Sequence, residues 1–333
     1  MTDRSVISPV IDRLQVALSD DMDAVNREIR MRMQSEHAPR IPEVTAHLVE
    51  AGGKRLRPML TLASARMCGY DGSHHISLAA TVEFIHTATL LHDDVVDESR
   101  QRRGRPSANL LWDNKSSVLV GDYLFARAFQ MMVSPGSLEV LEILSNASAV
   151  IAEGEVLQLS AAASLATTED TYLQVIRGKT AALFAAACEV GGVIAEQPDE
   201  VNAALHAYGD ALGIAFQMVD DVLDYGGVSQ TLGKNTGDDF RERKLTLPVI
   251  RAIAAGDDTE RAFWKRTIEK GDQQDADLDE AQRLLAKHGT LESTRQTALD
   301  YAARAKAALD PLPASEMRDL LQELPDFVVS RVV

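Results

Sequence analysis

The 333-residue sequence holds only two cysteines, Cys68 and Cys188, which lie far apart and form no CxxC pattern. There is no disulfide framework or thiolate site to read, and both thiols are expected to be small core residues in a reducing cytosol. No apolar run reaches the ~20 residues that a membrane span needs. The most apolar stretch, Ala181 to Ala195, is broken by Glu189 and by Gly191-Gly192. At the N-terminus, MTDRSVISPVIDRL places charges where a signal peptide would need its apolar segment. A cytoplasmic protein is expected, with at most peripheral membrane contact. Basic residues are scarce, 34 against 50 acidic, leaving a formal net charge of −16. Such a surface excludes non-specific binding to nucleic acid or anionic membranes. Alternating β-branched runs flanked by hairpin turns are missing, and so are Ser/Gly-rich linkers, low-complexity blocks and fixed-period repeats. These absences favour one all-α domain across residues 1–333 over two domains.

What is present is helical spacing. Met22, Val25, Ile29 and Met33 step by three and four, as do Leu78, Val82, Ile85 and Thr89, and Phe125, Phe129 and Met132 form a third stripe. Pro42, Pro58 and Pro198 suit first helical turns, while Gly52-Gly53, Gly69 and Gly226-Gly227 suit helix ends. Two loops are expected, Ser99 to Ser107 and Gly226 to Lys244, each directly after an acidic cluster.

Those clusters echo one another: LLHDDVVDES at 90–99 and QMVDDVLDYG at 217–226. Asp93 and Asp97 share one helix face a turn apart, with Asp94 beside them, and Asp220, Asp221 and Asp224 repeat the arrangement. A single such cluster can be a solvated helix end. Two of them at helix C-termini, where the macrodipole disfavours negative charge, call for another cause. Unit charges ~5.5 Å apart repel by ~3 kcal/mol at an effective dielectric of ~20, so cations bound between them would explain the placement. Oxygen-only ligands point to magnesium, which accepts carboxylates together with water and substrate phosphates.

Basic residues gather nearby against the acidic trend. Arg102-Arg103 follow the first cluster, Lys234 and Lys244 the second, GGKRLRP packs Lys54, Arg55 and Arg57 between a helix stop and a start, and Lys179-Thr180 interrupts an apolar run. Each alone is a common surface charge. Together they fit sites for two polyanions, arginine as a fork and lysine as a point charge.

In order and spacing, GGKRLRP, EFIHTATLLHDDVVDESRQRRG, GDYLFARAF, EGEVLQL, GKTAALF, FQMVDDVLDYGG and GKNTGDDFRERKLTLP resemble the trans-isoprenyl diphosphate synthases, or polyprenyl synthetases. The resemblance runs from about residue 52 to 248 and is greatest to the bacterial long-chain enzymes that make quinone side chains. It implies an antiparallel helical bundle around a deep cavity, a homodimer, and repeated addition of isopentenyl diphosphate to an allylic diphosphate such as farnesyl diphosphate. It implies three magnesium ions, with Asp93, Asp97 and Asp220 as direct ligands and Asp94, Asp221 and Asp224 assisting. By motif, Arg102, Lys179, Lys234 and Lys244 would hold the allylic diphosphate. Lys54, Arg57, His86 and Arg103 would hold the other, and Thr180 and Gln217 would face the reacting carbons. No side chain is an obvious base, and in the family the departing diphosphate takes the final proton. Ala88 and Thr89 lie above Asp93 where short-chain relatives carry aromatic rings. Ala88, five residues before Asp93, sits ~7.5 Å from it along the helix axis, and the small size of both residues implies a tunnel that continues towards a floor among Phe125, Phe129 and Met132. The resemblance implies a product of roughly eight to ten isoprene units.

One position departs from the family. Arg243 precedes Lys244 where glycine is usual, and arginine would resist a positive φ there. His92 is read as structural. The rivals are a shorter-chain farnesyl or geranylgeranyl synthase, a terpene cyclase, a helical metal phosphohydrolase and a non-catalytic subunit of a heteromeric synthase. Asp220, Asp221, Asp224 and GKRLRP argue against the cyclase. The phosphohydrolase lacks histidines in register with His92-Asp93, and the subunit would be expected to lose one aspartate cluster. The first 40 residues and the segment beyond about Ala255 carry no chemistry that could be named.

Overall fold

A computed structural model describes residues 9–50, 53–102, 104–226 and 237–332. The chain runs through α1 (Pro9–Ala17), α2 (Ser19–Arg32), α3 (Arg40–Glu50), α4 (Leu56–Met67) and the long α5 (His74–Val96). A two-residue antiparallel ribbon then pairs Gln101–Arg102 with Arg105–Pro106 inside the expected loop. It is followed by α6 (Ala108–Leu111), α7 (Asn114–Met132), α8 (Leu138–Ala161) and α9 (Glu169–Ile176). A π-helical turn, Arg177–Ala181, leads from α9 into α10 (Ala182–Ile194), which precedes α11 (Asp199–Gly226). Next come α12 (Asp238–Arg241), α13 (Leu247–Ala255), α14 (Asp258–Trp264) with a second π turn, Lys265–Glu269, then α15 (Asp277–Lys287), α16 (Thr290–Ala308) and α17 (Glu316–Ser330). No helix is long and apolar enough to cross a membrane among the described residues.

Two helices are apolar on nearly all sides and are therefore enclosed by others. In α10 every residue from Leu183 to Val193 is buried except Glu189. It packs on α4, α8 and α11, while α5 is wrapped by α2, α4 and α7. Close approach is built in: a Cβ on Gly191 would lie 2.7 Å from Ser64 Cβ and from Ala65 N, so α10 and α4 touch backbone to backbone. The predicted stop at Gly69 is a left-handed cap (φ +76°), with the Tyr70 N–H bonded to Ala65 O at 3.0 Å. Burial pushes the Cys188 thiol up to about 12 and that of Cys68 to about 11, which makes both inert packing groups. A second, smaller cluster surrounds Trp264 and includes Tyr225, Phe240 and Leu284, and Leu245 packs against both clusters.

Candidate active site

The last turn of α5 carries Asp93 and Asp94, with Asp97 at its C-cap, and the last turns of α11 carry Asp220, Asp221 and Asp224. Each cluster delivers one carboxylate, Asp97 or Asp221, to the lining of a cleft of about 510 Å³, which also includes Lys179, Thr180, Gln217 and Lys244.

Within the first cluster the carboxylates differ in their surroundings. Asp94 is fully buried and its Oδ1 receives Arg102 Nε at 2.8 Å and Nη2 at 2.7 Å, which ties the short ribbon to α5. Burial raises its pKa and Arg102 opposes that rise. Asp97 Oδ2 accepts from Lys244 Nζ at 3.1 Å. Asp93 lies 3.9 Å from Lys179 Nζ, which donates to Glu155 at 2.8 Å. Burial, with Glu155 and Asp97 close by, lifts Asp93 to about 6 against the pull of Lys179. The Lys244 ammonium is lowered by burial, but Asp97, Asp239 and Glu242 outweigh that effect and raise it.

The second cluster is divided in the same way. Asp220 Oδ1 accepts from Arg331 Nη2 at 2.8 Å. Asp221 is 2% exposed and takes Tyr172 Oη at 2.6 Å and Gln217 Nε2 at 2.9 Å, one on each oxygen. Burial pushes Asp221 up to about 7 although both donors hold it down. Asp224 accepts the backbone N–H groups of Asp238 and Asp239 at 3.2 and 3.1 Å, which fixes the start of α12 to the end of α11. Asp239 itself is held well above the usual carboxylate range by burial and by Asp224 and Asp221.

Lys179 and Thr180 sit on the π turn. A π turn carries one residue more than an α turn, and such turns are frequent at functional sites. Here α8 presses against it at Gly154 and Gly178, whose Cα would be 3.1 Å from a Cβ on the other. That contact sets Lys179 beside Glu155, and Thr180 Oγ1 donates to Gln217 Oε1 at 2.9 Å.

Two cations of GGKRLRP, Lys54 and Arg57, stand on aromatic faces. Arg57 lies 4.5 Å from the Phe184 ring centroid and Lys54 4.9 Å from that of Phe327, while Arg331 lies 5.2 Å from that of Phe216. Arg57 Nη1 meets His86 Nε2 at 3.3 Å. Burial and the neighbouring Arg331 lower the Lys54 ammonium, while Asp220 acts to raise it. Arg55, the N-cap of α4 at φ +50°, pairs with the buried Glu83.

Several expectations change on placement. Arg103 and Lys234 lie outside the described residues. Phe129 is 42% exposed on α7 and so lines no interior floor, whereas Met132 is buried. Ala88 is fully buried on α5, with the half-buried Thr89 donating to His86 O. His92 turns away onto α7, where it covers Gly121 and meets Val118 O at 3.2 Å. Arg243 does adopt a positive φ, +57°, and Lys244 still reaches the cleft.

Sequence reasoning passed over Glu155, Tyr172, Asp239, Glu83 and Arg331. Glu155 lies within EGEVLQL, one of the segments that carry the family resemblance. Arg331 lay where no chemistry had been seen. Glu155 is legible as a charge on a largely apolar helix, whereas Arg331 follows α17 as its C-cap and no sequence signal marks it.

A profile of the polyprenyl synthetase family matches residues 38–285. The chain belongs to this family. It is an all-α prenyltransferase, as its motifs implied. It is 44% identical to octaprenyl diphosphate synthase of Escherichia coli (strain K12), over 96% of this chain and 99% of the relative. Identity is 42% to an all-trans-nonaprenyl-diphosphate synthase (geranyl-diphosphate specific) of Rhodobacter capsulatus, over 95% and 96% of the two chains. Among solved structures, a decaprenyl diphosphate synthase from Rhodobacter capsulatus superposes with TM-score 0.94 at 71% identity, covering 97% of this chain and 99% of that one. A polyprenyl synthase from Caulobacter crescentus CB15, complexed with calcium and isoprenyl diphosphate, superposes with TM-score 0.93 at 54% identity, covering 97% and 98%.

A divalent metal fits this donor set. Among the described residues no three carboxylates or other ligands form a closed cage. Magnesium does not ask for one, since it takes one or two carboxylates and completes its shell with water and phosphate oxygens. Desolvation, with Glu155 and Asp97 close by, lifts Asp93, and the buried Asp94 Oδ2 has no hydrogen-bond partner, so the first cluster has anionic oxygen to spare.

Proposed function

We propose that the chain is a long-chain trans-polyprenyl diphosphate synthase, one domain over its whole length, acting in the cytoplasm to build the side chain of a quinone. The observation that carries the reading is the cleft at which Asp97 and Asp221, one from each aspartate cluster on α5 and α11, meet Lys179, Thr180, Gln217 and Lys244. Long-chain relatives that cover almost the full chain support the product class.

Asp93, Asp97 and Asp220, with Asp94, Asp221 and Asp224 behind them, would hold magnesium. When bound, the metal neutralises the leaving diphosphate so that the allylic C–O bond can ionise. Lys179, Lys244 and Arg102 grip that diphosphate, with Lys234 alongside. Lys54, Arg57, His86 and Arg103 hold isopentenyl diphosphate with its double bond aimed at the carbon that becomes positive. Thr180 and Gln217 turn oxygen towards that carbon and ease its charge without capturing it. The outer side of α7 and its C-cap expose Leu119, Phe129 and Val133, and α8 exposes Leu138 and Val156. Apolar area of this kind marks an interaction surface, and a second copy of the chain is its proposed occupant.

The test is incubation of the purified protein with magnesium, farnesyl diphosphate and labelled isopentenyl diphosphate, followed by reverse-phase chromatography of the dephosphorylated products. The expected product carries roughly eight to ten isoprene units, formed by repeated condensation in one site. Release of diphosphate without extension would make the protein a cyclase or hydrolase instead.

A further inference from the structure

Two groups read as facing the reacting carbons end in a hydrogen-bonded relay on a residue with no assigned role. Thr180 Oγ1 donates to Gln217 Oε1 at 2.9 Å, Gln217 Nε2 donates to Asp221 Oδ1 at 2.9 Å, and Tyr172 Oη donates to Asp221 Oδ2 at 2.6 Å. All four residues line the cleft. Tyr172 stands on α9, 49 positions from Asp221 in the chain, and is 4% exposed.

The relay has a direction. A carboxylate accepts only, and each Asp221 oxygen is already engaged by a donor. An amide has one donating and one accepting end. Asp221 takes the donating end of Gln217, so Oε1 must face the other way, towards Thr180. A threonine hydroxyl has one proton, which here is spent on Oε1, so the lone pairs of Oγ1 remain for the cleft. The Thr180 and Tyr172 O–H groups and one Gln217 N–H are thereby turned inward along the relay, and the lone pairs of Thr180 Oγ1 remain for the space where positive charge develops. Negative dipole ends stabilise an allylic cation, whereas a reversed amide would aim N–H groups at it. A carboxylate held on one side only can rotate about Cβ–Cγ and release the amide. The rigid phenol on its second oxygen prevents that.

We infer that Tyr172 is a positioning residue for the condensation: by clamping Asp221 it keeps the oxygens of Gln217 and Thr180, not hydrogens, towards the reacting carbons. The inference rests on the function proposed above and fails separately from it. If the wild-type enzyme makes no extended product, the functional reading is wrong. If it does, the role of Tyr172 is decided by the variants.

Tyr172→Phe removes one oxygen atom and keeps the ring. Loss of a hydrogen bond to a charged group at a preorganised site is expected to lower kcat about tenfold or more, with both KM values within about twofold. The magnesium concentration for half-maximal rate should not move. In a Gln217→Ala background the same change should cost less than about twofold, because its effect passes through the amide. 3-Fluorotyrosine at position 172, which retains the donor, should restore kcat. A full loss repeated in Gln217→Ala, a loss confined to KM, recovery at higher magnesium, or an unfolded Tyr172→Phe would each overturn the positioning role.

Discussion

Asp93 is a half-buried carboxylate, and desolvation, opposed by Lys179 and aided by Glu155 and Asp97, lifts its pKa to about 6, above the ~3.9 of a free aspartate. A raised acid binds its proton more tightly in the folded state. The stability this gives is complete below about pH 4 and is lost as pH rises through about 6. A divalent cation competes for the same oxygens. The rise in Tm on adding magnesium with inorganic pyrophosphate should therefore be largest near pH 8 and shrink as pH falls through about 6. Differential scanning fluorimetry across that range checks it, with Asp93→Asn, which should flatten the profile, as the control for titration of the pyrophosphate. Sequence spacing alone made the acidic clusters legible, because four residues along a helix return to the same face. The separate task of each carboxylate was hidden, since it depends on partners from elsewhere: Arg102 for Asp94, Tyr172 for Asp221, the start of α12 for Asp224. Arg243 shows the reverse. The sequence raised the question of a positive φ, and the structure accepts one at φ +57° by laying the guanidinium against Gly271, where a Cβ would lie 2.8 Å from Nη1. The backbone strain is about 1–2 kcal/mol.

At the scale of elements, helix identity and many helix ends were readable from apolar periodicity, proline and glycine. The π turn at Arg177–Ala181 was not, because one extra residue leaves the apolar pattern of QVIRGKTAALFAAA looking like an uninterrupted helix. Its position is held by the contact of Gly154 with Gly178. A Cβ on Gly154 would lie 2.7 Å from Lys179 N and 3.0 Å from Gly178 C, both backbone atoms that cannot swing aside. Gly154→Ala should thus push the π turn off α8. Overpacking of this kind costs about 1–3 kcal/mol, visible as a lower midpoint in urea unfolding. Since Lys179 moves with the turn, the KM for the allylic diphosphate should rise as well. A variant with unchanged midpoint and kinetics would show that the two helices are not in register contact.

The whole molecule raises two further expectations. Leu119→Arg with Val133→Arg places charge on the exposed side of α7, and should leave a folded species with the mass of one 36.3 kDa chain in light scattering. A wild-type protein already at that mass would remove the dimer. Ala88→Phe sets a ring about 7.5 Å along α5 from Asp93, and should end elongation at roughly three or four isoprene units while the first condensation continues. Unchanged product length from an active variant would mean that the chain takes another path. The all-α class was readable from helical spacing and the bundle was implied by the family resemblance, but the contribution of α17 was not foreseeable. This helix packs on α1, α4, α11 and α16, and Tyr208 Oη donates to Leu321 O at 2.7 Å to fasten it to α11. Through it Arg331 reaches Asp220, and Phe327 comes to lie beneath Lys54. During synthesis every motif on which the family resemblance rests, up to about residue 248, has left the ribosome well before this helix does, yet Asp220 meets Arg331 only once the helix docks. Competence would then arrive with the last helix rather than with the last motif, and a nascent chain that has displayed both aspartate clusters is still waiting for the far end of its own sequence.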